Sequence, residues 1–93
     1  MTPEPASATD AIRARLCRVM AQVLDVPESS LGPQSSPDDI PSWDSMAHVL
    51  LVVEIEREFQ VAIPVEQTLE MVNVRSIVSI LQELGAEPSA RGG

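Results

Sequence analysis

Two side chains of this sequence could do covalent chemistry at one place: the Ser45 hydroxyl and His48, the only imidazole, three residues further on. On a helix that spacing brings both onto neighbouring turns, the pairing of nucleophile and base that a serine hydrolase uses. The remaining parts of a hydrolase are not implied. A serine in a first helical turn carries no oxyanion hole with it, and a chain of 93 residues is too small to build a water-excluded cleft around it. The other chemistry open to Ser45 is attachment. Asp44 is a good N-cap, because its carboxylate can accept a backbone N–H of the first turn, which leaves Ser45 at the first helical position and facing solvent. A phosphate ester on that hydroxyl would lie beside free N–H groups and the positive end of the helix dipole. Taken alone, Asp44-Ser45 reads first as an ordinary capping dipeptide. Metal ligation is weaker still: one His, one Cys and scattered carboxylates give no ligand spacing, and the acids lack the calcium-loop pattern with its central Gly. No Gly-rich loop is present to cradle a free phosphate.

Whatever Ser45 does, the chain that positions it is one small domain with a thin core. Trp43 and Phe59 are the only aromatics, so Leu, Val, Ile and Met must fill that core. The net charge is -8, and every basic residue is Arg. Such a chain should avoid nucleic acid and anionic membranes and be drawn to basic protein surfaces. The stretch from Asp25 to Glu70 holds ten of the fourteen acids and a single arginine, Arg57, so the acidity centres on Ser45. Cys17 is the only cysteine, which excludes an internal disulfide and a thiolate metal cluster and fits a reducing cytoplasm; its expected role is that of a half-buried apolar residue. The first residues lack the regions of a signal peptide, and no apolar run approaches membrane-spanning length.

The periodicity predicts an all-α chain: a four-helix bundle of three principal helices and one short one, with a long first loop. Residues 1–8 and 86–93 read as flexible tails around a single domain at 9–85. Thr9 or Asp10 caps a first helix whose inner stripe is Ile12, Leu16, Val19, Met20 and Val23, with Arg13, Arg15, Arg18 and Gln22 on the other side, ending near Leu24. Prolines and serines fill the connection to Trp43, which is longer than the roughly 12 to 15 residues expected of a plain loop. Leu31, Ile40 and Trp43 are spaced to pin it down. The second helix runs from Ser45 to about Phe59 and is apolar on two sides. Leu51, Val52, Ile55 and Phe59, with His48 above them, form the core face, and His48 is expected to be partly buried under the loop near Trp43. Met46, Leu50 and Val53 lie opposite, with Arg57, and are rimmed by Glu54 and Glu56; so small a chain cannot cover this second stripe, which marks it as a docking surface. Ile63 plugs the core, and Pro64 starts a short turn through Glu66, Leu69 and Met71. Asn73 caps the last helix, whose inner face is Val74, Ile77, Val78, Leu81 and Leu84, and Gly85 closes it.

These residues resemble the acyl carrier proteins. Asp44-Ser45-Met46 stands where that family has Asp-Ser-Leu at the start of its second helix, and Val49, Leu51-Val52, Ile55-Glu56-Arg57-Glu58-Phe59, Ile63-Pro64 and Val74 follow at matching distances. The likeness spans about Thr9 to Leu84. It implies that a phosphopantetheinyl transferase uses coenzyme A to esterify Ser45 with a 4'-phosphopantetheine arm, and that the arm's thiol holds acyl groups as thioesters. It implies further that Asp44 helps position the magnesium-bearing transferase complex. The chain itself is then not an enzyme. Its partners would be the transferase and acyl-loading or acyl-transfer enzymes such as a ketosynthase or acyltransferase, reading the second helix through basic rims; a cytoplasmic monomer is expected.

The sequence departs from the family at three points. Met46 replaces Leu, a mild change between apolar side chains. Leu50 and Arg57 stand where fatty-acid carriers are often acidic. Trp43 before Asp-Ser and His48 after it resemble discrete carriers of bacterial specialised-metabolite pathways, polyketide or related, including those loaded with short hydroxylated or glyceryl units. A peptidyl carrier, which more often has Gly-Gly-x-Ser here, and a helical interaction module without a prosthetic group are the alternatives.

Overall fold

Three apolar stripes need one another and form α1 (Ala8–Leu24), α2 (Ser45–Phe59) and α4 (Val74–Glu83), while the single-turn α3 (Val65–Thr68), which buries no residue of its own, lies between the last two. The structure is a computed structural model that describes residues 8–86. No strand occurs among them, and the bundle has the expected all-α order. α1 packs against both α2 and α4. Between them lie Ile12, Leu16, Met20 and Leu24 of α1, Leu51, Ile55 and Phe59 of α2, and Val74, Ile77, Val78 and Leu81 of α4, all buried. Each such side chain contributes about 1.5 to 3 kcal/mol relative to exposure. Ile63 and Met71 close the core from below, and Ile80, which the inner stripe of α4 had not included, is buried with them.

Helix starts follow their caps where a side chain supplies one. Asn73 accepts from the Ser76 amide at 2.8 Å while the Ser76 hydroxyl is engaged by the Asn73 amide, a reciprocal capping box. At α1 the expected caps shift: the helix already begins at Ala8, so Thr9 and Asp10 stand inside its first turn. There Asp10 pairs with Arg13 at 3.1 Å and the Thr9 hydroxyl accepts from Gln82 at 2.6 Å. The two expected tails otherwise lie outside the described residues, apart from Ala8 in α1 and Ala86, which is buried.

Three helices stop by one device. Asp25, Gln60 and Gly85 adopt left-handed backbone, with φ of 58°, 56° and 79°. The next amide then reaches back five residues, Val26 to Ala21, Val61 to Glu56 and Ala86 to Leu81, at 2.9 to 3.2 Å. Only Gly85 was legible as such a stop; at Asp25 and Gln60 the conformation costs about 1 kcal/mol or more, since each carries a Cβ. The partly buried apolar residues that follow, Val26 and Val61, pack on the core and offset that cost.

The long loop is ordered. A 3₁₀ turn at Glu28–Ser30 starts it, and Ile40 and Trp43 are buried while Leu31 is half-buried, as their spacing implied. Its carbonyls at Pro33 and Ser35 accept the first two amides of α4, from Arg75 at 2.8 Å and Val74 at 3.2 Å. The Ser42 hydroxyl donates to the Leu24 carbonyl at the end of α1. α3 is shorter than the turn read from sequence: it ends at Thr68, leaving Leu69 exposed and Met71 to enter the core from irregular backbone.

Arg15 corrects the reading of α1. It belongs to the inner side, only 6% exposed. Its guanidinium carbon sits 4.5 Å from the Phe59 ring centroid, and Nη2 donates to the Glu58 carboxylate at 3.0 Å and to the Glu58 carbonyl at 2.9 Å. A planar cation can bury its stem, lie on an aromatic face and still donate from its tip to a carboxylate and a carbonyl. Glu58 is about a third exposed, so solvent weakens the ion pair. Arg15→Ala should therefore lower unfolding free energy by about 2 kcal/mol, through lost packing and a stranded carboxylate. Arg13→Ala, which removes only an exposed pair, should change it by less than about 0.5 kcal/mol. Urea titrations of the two variants provide the check.

Candidate functional site

Trp43, two residues before Ser45, is buried to 3% and sets the direction of the chain there. With its indole held inward, Asp44 and Ser45 are turned outward. Asp44 is extended, at φ -99° and ψ -173°, and its Oδ1 accepts the Ala47 amide at 2.9 Å. Ser45 is the first residue of α2 and is exposed, as the cap implied.

The indole is fixed by His48. Trp43 Nε1 can only donate, and it lies 3.1 Å from His48 Nδ1, so Nδ1 accepts. The hydrogen of the neutral ring is therefore on Nε2, which donates to the Thr68 carbonyl at 3.0 Å. The two rings are nearly parallel, 14° apart, with centroids 6.2 Å from each other. One side chain thus ties together the end of the loop, the first turn of α2 and the last residue of α3. With both nitrogens engaged, His48 has no lone pair for the Ser45 proton, and the hydrolase arrangement is not formed.

Two helix starts in this domain differ in a way that bears on chemistry. At α4 all four leading amides are bonded: to Ser35 and Pro33 of the loop, to the Asn73 side chain and to the Asn73 carbonyl. At α2 the Ala47 and His48 amides are taken by Asp44, while those of Ser45 and Met46 have no hydrogen-bond partner among the described residues. They stand beside the exposed hydroxyl, where a phosphate diester would find two donors and the positive helix end. An attached phosphate fits this place without rearrangement of the cap. Beside it opens a groove of about 590 Å³, walled by Pro37 and Asp38 of the loop, Trp43 and His48, and Thr68, Leu69, Met71 and Val72 around α3. Its mixed polar and apolar walls can take the arm or a modest acyl group along the surface.

Of the expected docking residues, Met46, Leu50, Val53 and Arg57 are exposed on α2, and Val49 joins them. The rim acids are placed otherwise. Glu56 turns back to accept the Ile63 amide at 2.8 Å, and Glu54 lies 3.9 Å from Arg57. Cys17 is half-buried away from this site; burial pushes its thiol pKa up, Arg13 opposes that and Glu28 adds to it.

The exposed serine and the two open amides of this all-helical domain together make a place where a phosphate ester can be held. A family model described as phosphopantetheine attachment site matches residues 14–81. The sequence is also 38% identical over 69 residues to an acyl carrier protein of Streptomyces coelicolor, covering 74% of this chain and 75% of that one. The chain belongs to the acyl carrier proteins, the family that bears 4'-phosphopantetheine and works with phosphopantetheinyl transferases and acyl-handling enzymes.

The bracket of Trp43, His48 and Thr68 can be tested by itself. His48→Ala strands the indole N–H and the Thr68 carbonyl, at about 1 to 3 kcal/mol. In NMR spectra the one indole N–H signal should exchange slowly in the native protein and lose most of that protection in the variant. An indole that stays equally protected would show that His48 is not its acceptor.

Proposed function

We propose that Ser45 is the residue that carries the 4'-phosphopantetheine arm. The observation that supports this most is the contrast between the two helix starts: α4 is closed by its loop, and α2 keeps two amides open at an exposed hydroxyl. Bound there, the arm supplies a terminal thiol that holds acyl groups as thioesters. The chain's own residues do the rest. Asp44 caps α2 and keeps the hydroxyl outward, and its second carboxylate oxygen is available to the metal of the transferase complex. The bracket holds the groove wall at α3 in place. Met46, Leu50, Val53 and Arg57 form the face that partner enzymes meet.

The finer assignment is a discrete cytoplasmic carrier of polyketide or related specialised metabolism. The Trp43 and His48 pair supports it, as do Leu50 and Arg57 at positions where a fatty-acid carrier is often acidic. The cargo in this reading is short, matching an open groove beside Ser45 and a core whose central side chains, Leu51, Ile55, Ile77 and Leu81, are fully enclosed.

Incubation of the purified chain with coenzyme A and a broad-specificity phosphopantetheinyl transferase should add one phosphopantetheine, seen by intact mass, and Ser45→Ala should add none. Failure of the unaltered chain to accept the arm would end this reading.

A further inference from the structure

Peroxides take an electron pair from sulfur, and the sulfurs of this chain are unequally open to solvent. The sequence has four methionines and one cysteine. Met20 is fully enclosed and Met71 is 2% exposed, both within the core, whereas Met46 is 75% exposed in the first turn of α2. Met1 lies outside the described residues. Cys17 is half-buried, and burial pushes its thiol pKa up, which holds it in the protonated and less reactive form. Among the described residues an oxidant in solution therefore meets one well-exposed sulfur. That sulfur belongs to the residue directly after Ser45. Leu, which the acyl carrier proteins have at this place, offers no atom to oxidise.

Resting on the tether reading above, we propose that Met46 is a reversible oxidation site through which a peroxide turns down the loading of Ser45. The thioether sulfur attacks one peroxide oxygen, so that an S–O bond forms as the O–O bond breaks. The proton on the attacked oxygen passes to the departing hydroxide, which leaves as water. Sulfur is oxidised to the sulfoxide and hydrogen peroxide is reduced. The reverse step takes a dithiol, which becomes a disulfide while the sulfoxide oxygen leaves as water and the thioether returns. The location gives the oxygen its effect. Met46 heads the exposed apolar strip that continues through Val49, Leu50 and Val53. A sulfoxide there replaces a flexible apolar side chain by a polar one, and an enzyme reaching Ser45 must desolvate its oxygen. The fold is spared, because Met46 takes no part in the core, whereas an oxygen on Met20 or Met71 would enter closely packed surroundings.

The test treats the full apo chain with hydrogen peroxide, removes the excess with catalase, and locates each added oxygen by mass fragmentation. Arm transfer from coenzyme A by a broad-specificity phosphopantetheinyl transferase is then followed as initial rates. Among the described residues the first oxygen should appear on Met46. KM should rise about tenfold with kcat nearly unchanged, as for a lost docking contact. Methionine sulfoxide reductase with dithiothreitol should return KM to its untreated value. Met46→Leu should show one and the same KM before and after peroxide, which separates Met46 from any oxygen added at Met1. Circular dichroism of the oxidised chain should show its helices intact. Oxygen on Met20, Met71 or Cys17 ahead of Met46, an unchanged KM in the chain oxidised at Met46, or a peroxide response that persists in Met46→Leu would overturn the proposal. If the untreated chain accepts no arm at all, the tether reading itself fails, a result distinct from the others.

Discussion

The hydrogen bonds through His48 are the constraint on which the site depends. α3 is one turn long and has no intrinsic stability, since a nucleus of that size costs more backbone entropy than its hydrogen bonds return. It persists because the Thr68 carbonyl is held by His48 and because Ile63 and Met71 are buried on either side of it. The same ring accepts the indole N–H, and the buried indole fixes the last residues of the loop. Asp44 and Ser45 follow directly, so their outward direction is inherited from Trp43. An exposed hydroxyl is thereby given a fixed position by groups that are themselves enclosed.

Charge in this domain has two separate roles. Most of the acidity lies between Asp25 and Glu70, which gives the molecule a long-range field favourable to basic surfaces. At short range the acids of α2 serve structure: they satisfy Ile63, hold Arg15 over Phe59 and lie near Arg57. A net charge counted along the chain cannot separate these roles, because it does not say which carboxylates are already engaged.

Much of the architecture was legible in the residues. Asp44, Asn73 and Gly85 mark helix ends because their capping chemistry is local, and the apolar stripes of α2 and α4 follow a period set by helix geometry alone. Arg15 was missed because a polar residue type was taken as a polar position, although it falls at helical spacing between Ile12 and Val19; Phe59 and Glu58 on α2 were the available signal. The left-handed stop at Gln60 was invisible because glutamine does not favour that backbone, and aspartate at Asp25, which adopts it more readily, was not read as a stop. Glu56 as the partner of Ile63, and Thr68 as the partner of His48, join residues far apart in sequence, and no periodicity encodes them. For the site, Ser45 and its cap were readable from three residues, whereas the open amides of Ser45 and Met46 gain meaning only by contrast with the closed start of α4.

The account rests on Ser45 being a tether that another enzyme loads, held outward by an enclosed scaffold. Mass analysis of the protein purified from its native host, with fragmentation to locate any adduct, addresses this most directly. The account predicts phosphopantetheine on Ser45 alone, with part of the population bearing a short acyl group on the arm's thiol. Native protein with an unmodified Ser45, or with the arm on another residue, would contradict it.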